Sequence, residues 1–227
     1  AVLHVHTHAV RAVAIGLEGQ RLASGSRDGT VALWDIASTR CSGTLAGHTG
    51  GVNACVFSQD ESKLVSGAED SKVLLWDVTS FVLLCTMDTH QGPVTSLSVG
   101  FTLAGEVCCF SASEDGQILV WSYQKDDASA APGETDIVAL QGSEIGVVRG
   151  VSCGHAGMFA SSTDDGEVTI WHERLSESTR GKRSTWTRLR EFQECGSSQI
   201  YDVAFSHDAR RLAVATSDKN GHLWSLC

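Results

Sequence analysis

The chain has 227 residues, of which 42% are hydrophobic, so it can bury a full core without disulfides or a metal ion. Its 17 basic and 27 acidic residues give a formal net charge of −10, which argues against binding nucleic acid or anionic lipid with the whole surface. The eight cysteines include no Cys-x-x-Cys pair and indicate buried thiols in a reducing compartment rather than a disulfide framework or a zinc site. We therefore expect an intracellular protein, cytoplasmic or nuclear, that does not enter a membrane.

One segment recurs five times along the chain, at residues 22–35, 64–77, 110–122, 159–172 and 212–225. Each copy contains a tryptophan with an aspartate six positions before it. The tryptophans are Trp34, Trp76, Trp121, Trp171 and Trp224, and the aspartates are Asp28, Asp70, Asp115, Asp165 and Asp218. The spacing between tryptophans widens from 42 to 53 residues. Such a fixed internal offset predicts tandem structural repeats.

Each copy has the two-residue periodicity of a β-strand rather than the periodicity of a helix. Val31 and Leu33 alternate with Thr30, Ala32 and Trp34. The Asp-Gly pairs at 28–29, 115–116 and 165–166 are typical of tight turns between two such strands. One β-rich run precedes each copy and another follows it. Four short strands in each repeat, with no helical segment, predict an all-β propeller made of four-stranded blades.

The Gly47-His48 pair, the Trp34-Asp35 and Trp76-Asp77 dipeptides and the repeat length resemble those of WD40 repeats. The resemblance implies a single propeller domain over residues 1–227 with five blades. We expect the repeats at about 7–48, 49–90, 91–142, 143–195 and 196–227. Residues 1–6 are expected to form an outer strand that joins the last blade and closes a ring. The alternative is that the chain is a five-blade portion of a larger propeller.

The first three repeats carry a histidine, a serine, an aspartate and a tryptophan at matching positions. These framework sets are His6, Ser24, Asp28 and Trp34; His48, Ser66, Asp70 and Trp76; and His90, Ser111, Asp115 and Trp121. Buried together, they can form a hydrogen-bonded chain from indole to hydroxyl to imidazole to carboxylate. Three equivalent buried copies favour this structural role over a hydrolytic triad, so we predict no catalytic residue and no enzymatic activity.

The framework is incomplete in the last two repeats. Glu144 and Gly196 stand at the histidine position, and Val214 replaces the serine in the fifth repeat. We expect apolar strands to provide the cohesion there, and these two blades to be the least stable.

Strand alternation places the turns that contain the framework aspartates at the same end of the blades as the starts of the inner strands. In WD40-repeat proteins, which this sequence resembles, this end is the usual partner-binding surface. The predicted partner-binding residues are Arg11, Arg27, Asn53, Glu69, Thr95, Glu114, Arg149, Asp164, Tyr201 and Ser217. A polar surface enriched in Arg and Tyr suits docking of a peptide or protein.

Two insertions are expected to account for the wider tryptophan spacing, at 122–136 and at 173–190. The second is predicted to be a mobile loop between the third and fourth strands of its blade. It holds six of the 17 basic residues: Arg174, Arg180, Lys182, Arg183, Arg188 and Arg190. This basic loop could contact a phosphate, an RNA or an acidic peptide, or could be a kinase substrate.

His4, His6 and His8 alternate and could face one side of a strand, but His6 already has a framework role, so no metal site is predicted, and no cofactor. Three functions remain open. The first is a non-enzymatic scaffold that binds other proteins in a multiprotein complex. The second is a regulatory or ligand-sensing region of a larger multidomain protein such as an ATPase. The third is an RNA-linked assembly factor that binds RNA through residues 174–190, although the net negative charge of the chain disfavours nucleic acid as a partner.

Overall fold

The computed structural model describes residues 2–122, 137–141, 146–155, 157–178, 181–192 and 199–226. These residues form nineteen β-strands and no α-helix, as the two-residue periodicity predicts. It follows that this part of the chain has no helix long and apolar enough to span a membrane. By their contacts the described residues form two compact units, one up to Leu97 and the other from Ser98 onward.

The first unit contains two antiparallel four-stranded sheets whose strands follow chain order. The first sheet consists of β1 (Val10–Ile15), β2 (Arg21–Ser26), β3 (Thr30–Asp35) and β4 (Arg40–Ala46). The second consists of β5 (Val52–Phe57), β6 (Lys63–Ala68), β7 (Val73–Asp77) and β8 (Leu83–Met87).

The remaining strands form three further sheets. The third sheet contains β9 (Val94–Phe101), β10 (Val107–Ser113), β11 (Gln117–Ser122) and β12 (Val138–Gln141). The fourth contains β13 (Val148–Cys153), β14 (Met158–Thr163), β15 (Val168–Ser178) and β16 (Gly181–Phe192). The fifth contains β17 (Ile200–Phe205), β18 (Arg211–Thr216) and β19 (Gly221–Ser225).

The core of the first unit lies between its two sheets and contains Leu45, Val52, Leu64 and Trp76. Gly25 makes this close packing possible, because a β-carbon there would lie 2.6 Å from a methyl carbon of Val52. A β-carbon at Gly67 would likewise lie 2.5 Å from a methyl carbon of Val94. The repeated glycine of the second strand therefore leaves room for the first residue of the next inner strand.

The segment 1–6 was expected to form an outer strand, but its described residues, 2–6, belong to no strand. An outer strand needs a neighbouring strand to supply its ladder of hydrogen bonds, and residues 2–6 are in no such ladder. The fifth sheet has three strands in the described residues, and one of its faces is exposed, as the alternating burial of β18 shows. Ring closure by the N-terminal segment stays a prediction.

Residues 173–190 were expected to form a mobile loop, and that expectation is wrong. The described residues of this segment lie in β15 and β16, which pair from Val168–Phe192 to Ser178–Gly181 with one shift in register between Ile170 and Trp171. The physical reason is that both strands contribute apolar side chains: Val168, Ile170 and Trp171 from β15, and Trp186 and Phe192 from β16. All of these side chains are buried, and their burial favours strands over a solvated loop. The other predicted insertion, at 122–136, lies outside the described residues except for Ser122.

Candidate interaction face

The sheet registers bring the predicted partner-binding positions to one end of each sheet. The first inner strand begins where the second strand ends, since Val10 pairs with Ser26 and Val52 with Ala68. The turn into the third strand lies at the same end. Gly29 occupies it with φ +82°, a conformation that favours glycine over any residue with a β-carbon. We call this end of each sheet, which carries the Asp28-type turns, the aspartate-turn end.

The framework network of the first sheet is formed as predicted and includes His6 rather than His8. The indole nitrogen of Trp34 donates to Ser24 Oγ at 2.8 Å. Ser24 Oγ lies 2.8 Å from His6 Nε2, and His6 Nδ1 lies 3.1 Å from Asp28 Oδ2. Because an indole can only donate and a carboxylate can only accept, the serine hydroxyl donates to Nε2 and the imidazole donates from Nδ1.

The second sheet repeats this network with nearly the same distances. Trp76 donates to Ser66 Oγ at 2.8 Å, Ser66 Oγ is 2.9 Å from His48 Nε2, and His48 Nδ1 is 3.0 Å from Asp70. Asp70 also accepts the backbone N–H of Thr49 at 2.8 Å. The network therefore fixes the backbone of two segments, the turn that contains Asp70 and the loop before the inner strand. The exposed residues next to these segments are held in position as a result.

The ionisation of the second network follows from its burial. Burial lowers the pKa of His48, and the neighbouring Asp70 carboxylate opposes this effect. Burial would raise the pKa of Asp70, but hydrogen bonds from Thr49 and His48 hold it below its usual value. In the first sheet, hydrogen bonds from Thr30 and Thr7 likewise overcome burial and hold the pKa of Asp28 well below its usual value. In the second network, an ionised Asp70 beside a neutral His48 is thus the favoured state at neutral pH.

The later sheets keep parts of the framework and replace others. His90 and Ser111 are buried in the third sheet, as their framework roles require. In the fourth sheet, Trp171 still donates to Ser161 Oγ at 2.8 Å. Glu144 and Gly196, which stand at the histidine position, lie outside the described residues.

Apolar strands contribute to the cores of the last two sheets, as expected, since Val148, Val151, Ile200 and Val203 are buried there, and hydrogen bonds at the turns add to this cohesion. The hydroxyl of Thr163 donates to Asp165, and that of Thr216 donates to Asp218. The Thr216 bond and those from Asn220 lower the pKa of Asp218 to about 2. The sequence contains a signal for these bonds, since a threonine stands two residues before each aspartate. The hydroxyl of such a threonine can hold the turn carboxylate where no histidine does.

In the first unit, three predicted residues of the aspartate-turn end form one exposed network. Arg11 Nη1 donates to Asn53 Oδ1 at 2.9 Å and also to Glu69 Oε1. The hydrogen bond from Arg11 lowers the pKa of Glu69. Asn53 in turn donates to the Val94 carbonyl oxygen at 3.0 Å, next to the half-buried Thr95. Arg27 is exposed and adds positive charge near Glu69.

The second unit builds a similar cluster around Arg149. Its guanidinium lies 3.7 Å from Glu114 and 3.6 Å from Asp164. Asp164 also accepts the backbone N–H of Val147 at 2.7 Å, which fixes its position. Tyr201 is 58% exposed at the start of β17, and Ser217 is exposed and accepts the N–H of Gln199 at 3.0 Å.

Five of the six basic residues of 173–190 lie on β15 or β16. Arg174, Arg188 and Arg190 are exposed. Lys182 and Arg183 lie in β16, and Arg180 lies outside the described residues. Arg188 donates to the Gln141 carbonyl oxygen at 2.8 Å and pairs with Glu191 at 3.1 Å, so part of the basic charge has internal partners.

Burial raises the pKa values of the thiols of Cys55 and Cys153 to about 12, so both remain protonated at neutral pH. Six cysteines in the described residues are free thiols. Among the described residues no three His, Cys, Asp or Glu side chains are grouped as metal ligands.

The comparison with protein families agrees with this geometry. The family model of the WD domain, G-beta repeat, matches residues 1–35, 39–77, 81–122 and 186–225, together more than half of the chain. The chain therefore belongs to the WD40-repeat family, and its sheets are blades of a WD40-type propeller. Proteins of this family are generally non-enzymatic protein-interaction scaffolds. No curated protein matches the sequence.

Proposed function

We propose that this chain is a non-enzymatic interaction module that binds a protein or peptide at the aspartate-turn end of its sheets, as part of an intracellular multiprotein complex. The observation that carries the proposal is the Arg11–Asn53–Glu69 network. It is exposed and polar, and its backbone supports are held by buried framework bonds. A surface that is already ordered before binding loses less side-chain entropy when a partner docks.

The composition of this end favours a partner with both charged and polar groups. Arg11 and Arg149 are each close to acidic residues, so both signs of charge lie side by side in each unit. Such mixed patches provide specificity through complementary pairing more than through net attraction. Tyr201 adds an exposed aromatic ring of the kind enriched at binding hot spots.

Affinity capture from cell lysate with mass spectrometry tests the proposal. Charge reversal at Arg11, Arg27 and Arg149 together should deplete the captured partner. The matched control reverses three exposed arginines away from the aspartate-turn end: Arg40, Arg210 and Arg211. Equal capture by the wild-type and R11E/R27E/R149E proteins would reject this surface, and equal loss with the control triple would indicate an unspecific effect of charge.

A further inference from the structure

The outer strand of the fourth sheet differs from those of the other sheets. The strand β16 has 12 residues, whereas the outer strands β4, β8 and β12 have 7, 5 and 4. In the described part of the chain it is the last strand of its sheet and pairs with β15. No described strand lies beside its outer side, which therefore offers backbone N–H and C=O groups over a length sufficient to bind another strand.

Two basic side chains of β16 lie over aromatic rings. The guanidinium of Arg188 lies 5.3 Å from the centre of the Trp171 ring, and that of Arg190 lies 4.6 Å from the Phe192 ring. Arg174 is exposed on the neighbouring strand β15. Six of the 17 basic residues but only two of the 27 acidic residues fall within 173–190, so this hairpin is a positive region on an acidic chain.

Two exposed leucines accompany these charges. Leu189 is 63% exposed at a bulge, where it lies opposite no residue of β15, and Leu175 is 39% exposed. On the edge strand the exposed Leu189 stands between Arg188 and Arg190, and this pattern fits a chain that alternates acidic and apolar residues.

We infer that the outer edge of β16 binds an acidic extended peptide of a partner protein, which adds to the fourth sheet as a fifth strand. The peptide backbone completes the hydrogen bonds of the edge, and its carboxylates meet Arg174 and Arg190. Arg188 is kept in place by Gln141 and Glu191 and orders this end of the edge.

A peptide fits this edge better than RNA does. Single-stranded RNA is generally held by bases stacked on exposed aromatic rings. The rings of the hairpin, Trp171, Trp186 and Phe192, are buried, and two of them are faced by arginines. The edge of a β-strand presents alternating N–H donors and C=O acceptors. A peptide backbone has the same alternation and can form hydrogen bonds with all of them, whereas an RNA backbone cannot.

Fluorescence anisotropy with labelled twelve-residue peptides, matched to the length of β16, tests this inference. A peptide of alternating Glu and Val should bind saturably and more weakly as salt is added. The same peptide with Lys for Glu, and one with a central proline, should not bind. Reversal of two charges, R174E/R190E, should weaken binding roughly tenfold or more, while the control R40E/R210E should leave it unchanged.

Hydrogen exchange of the wild-type chain gives an independent readout, because the bound Glu/Val peptide should slow exchange in β16. This result decides the matter if R174E/R190E fails to fold. The inference is overturned if the peptide does not bind, if the control pair weakens binding equally, or if a twelve-nucleotide single-stranded RNA binds more tightly and displaces the peptide. These outcomes are separate from those of the capture experiment, which concerns the aspartate-turn end.

Discussion

The serine of each framework network is the residue on which the others depend. Ser66 Oγ accepts from the indole of Trp76 and donates to the imidazole of His48, so one hydroxyl satisfies two buried ring nitrogens. Neither ring nitrogen has access to bulk water, because Trp76 is buried and His48 is almost so. Loss of the hydroxyl therefore leaves two polar groups unsatisfied.

Ser66→Ala should lower the free energy of unfolding by about 1–3 kcal/mol. Urea denaturation followed by tryptophan fluorescence measures the change. Ser42→Ala is the control, since Ser42 is exposed on β4, and it should change the free energy by less than about 0.5 kcal/mol. If the two variants are equally stable, the hydroxyl of Ser66 does not hold the network.

The lowered pKa of His48 makes stability depend on pH. In the unfolded chain this imidazole takes up a proton near its ordinary pKa of 6.5, whereas folded His48 does so only at lower pH. The unfolded state thus binds more protons, and stability decreases as the pH falls below 6.5. Below 3.8 the lowered pKa of Asp70 adds a further loss of the same sign.

Urea midpoints measured from pH 8 to pH 5 should therefore decrease with falling pH in the wild-type chain. In the His48→Gln variant the decrease should be smaller, because the titrating group is removed. An identical slope in both proteins would show that His48 does not contribute to the pH dependence.

At the scale of elements, the five sheets differ in how completely they are covered. The second strands β6 and β14 are buried along nearly their whole length, whereas β18 is buried only at alternate positions. The fifth sheet also has Val214 at the position of the framework serine and has three strands in the described residues. Local unfolding of the fifth sheet should therefore require less free energy than local unfolding of the second sheet.

Hydrogen exchange with mass spectrometry should show faster exchange in β17, β18 and β19 than in β5, β6 and β7. Within the fourth sheet, β14 should exchange more slowly than the fifth sheet, because Trp171 and Ser161 keep their bond. Uniform protection across all sheets would contradict the prediction that the incomplete repeats are the least stable.

At the scale of the whole molecule, the exposed apolar residues of the first sheet bear on ring closure. Val13 and Ile15 are about 60% exposed on β1. Val13→Lys should accordingly change the free energy of unfolding by less than about 0.5 kcal/mol. The control Leu64→Ala removes a fully buried side chain and should cost about 2–5 kcal/mol.

Chemical denaturation of the two variants provides the measurement. A loss of several kcal/mol for Val13→Lys would mean that this face of the first sheet is covered in solution. That outcome would contradict the exposure of β1 and would support a closed ring.

Features that depend on local order could be predicted from the sequence. The alternation of residues sets the strands, and the fixed offset from Asp28 to Trp34 sets the turn and strand that assemble the framework. Even the choice of His6 over His8 followed from spacing, and the structure confirms it. These features repeat because each network is built within a single sheet and its adjoining loop.

Other features were decided only by the tertiary structure. Arg11 and Glu69 are 58 positions apart, and their contact depends on the packing of β1 against β5. The segment 173–190 is polar and charged, as loops often are, yet its described residues belong to two strands because Trp186 and the following Phe192 enter the core beside β15. Exposure and long-range pairing depend on which neighbour covers a surface, and no local pattern in the chain records that neighbour.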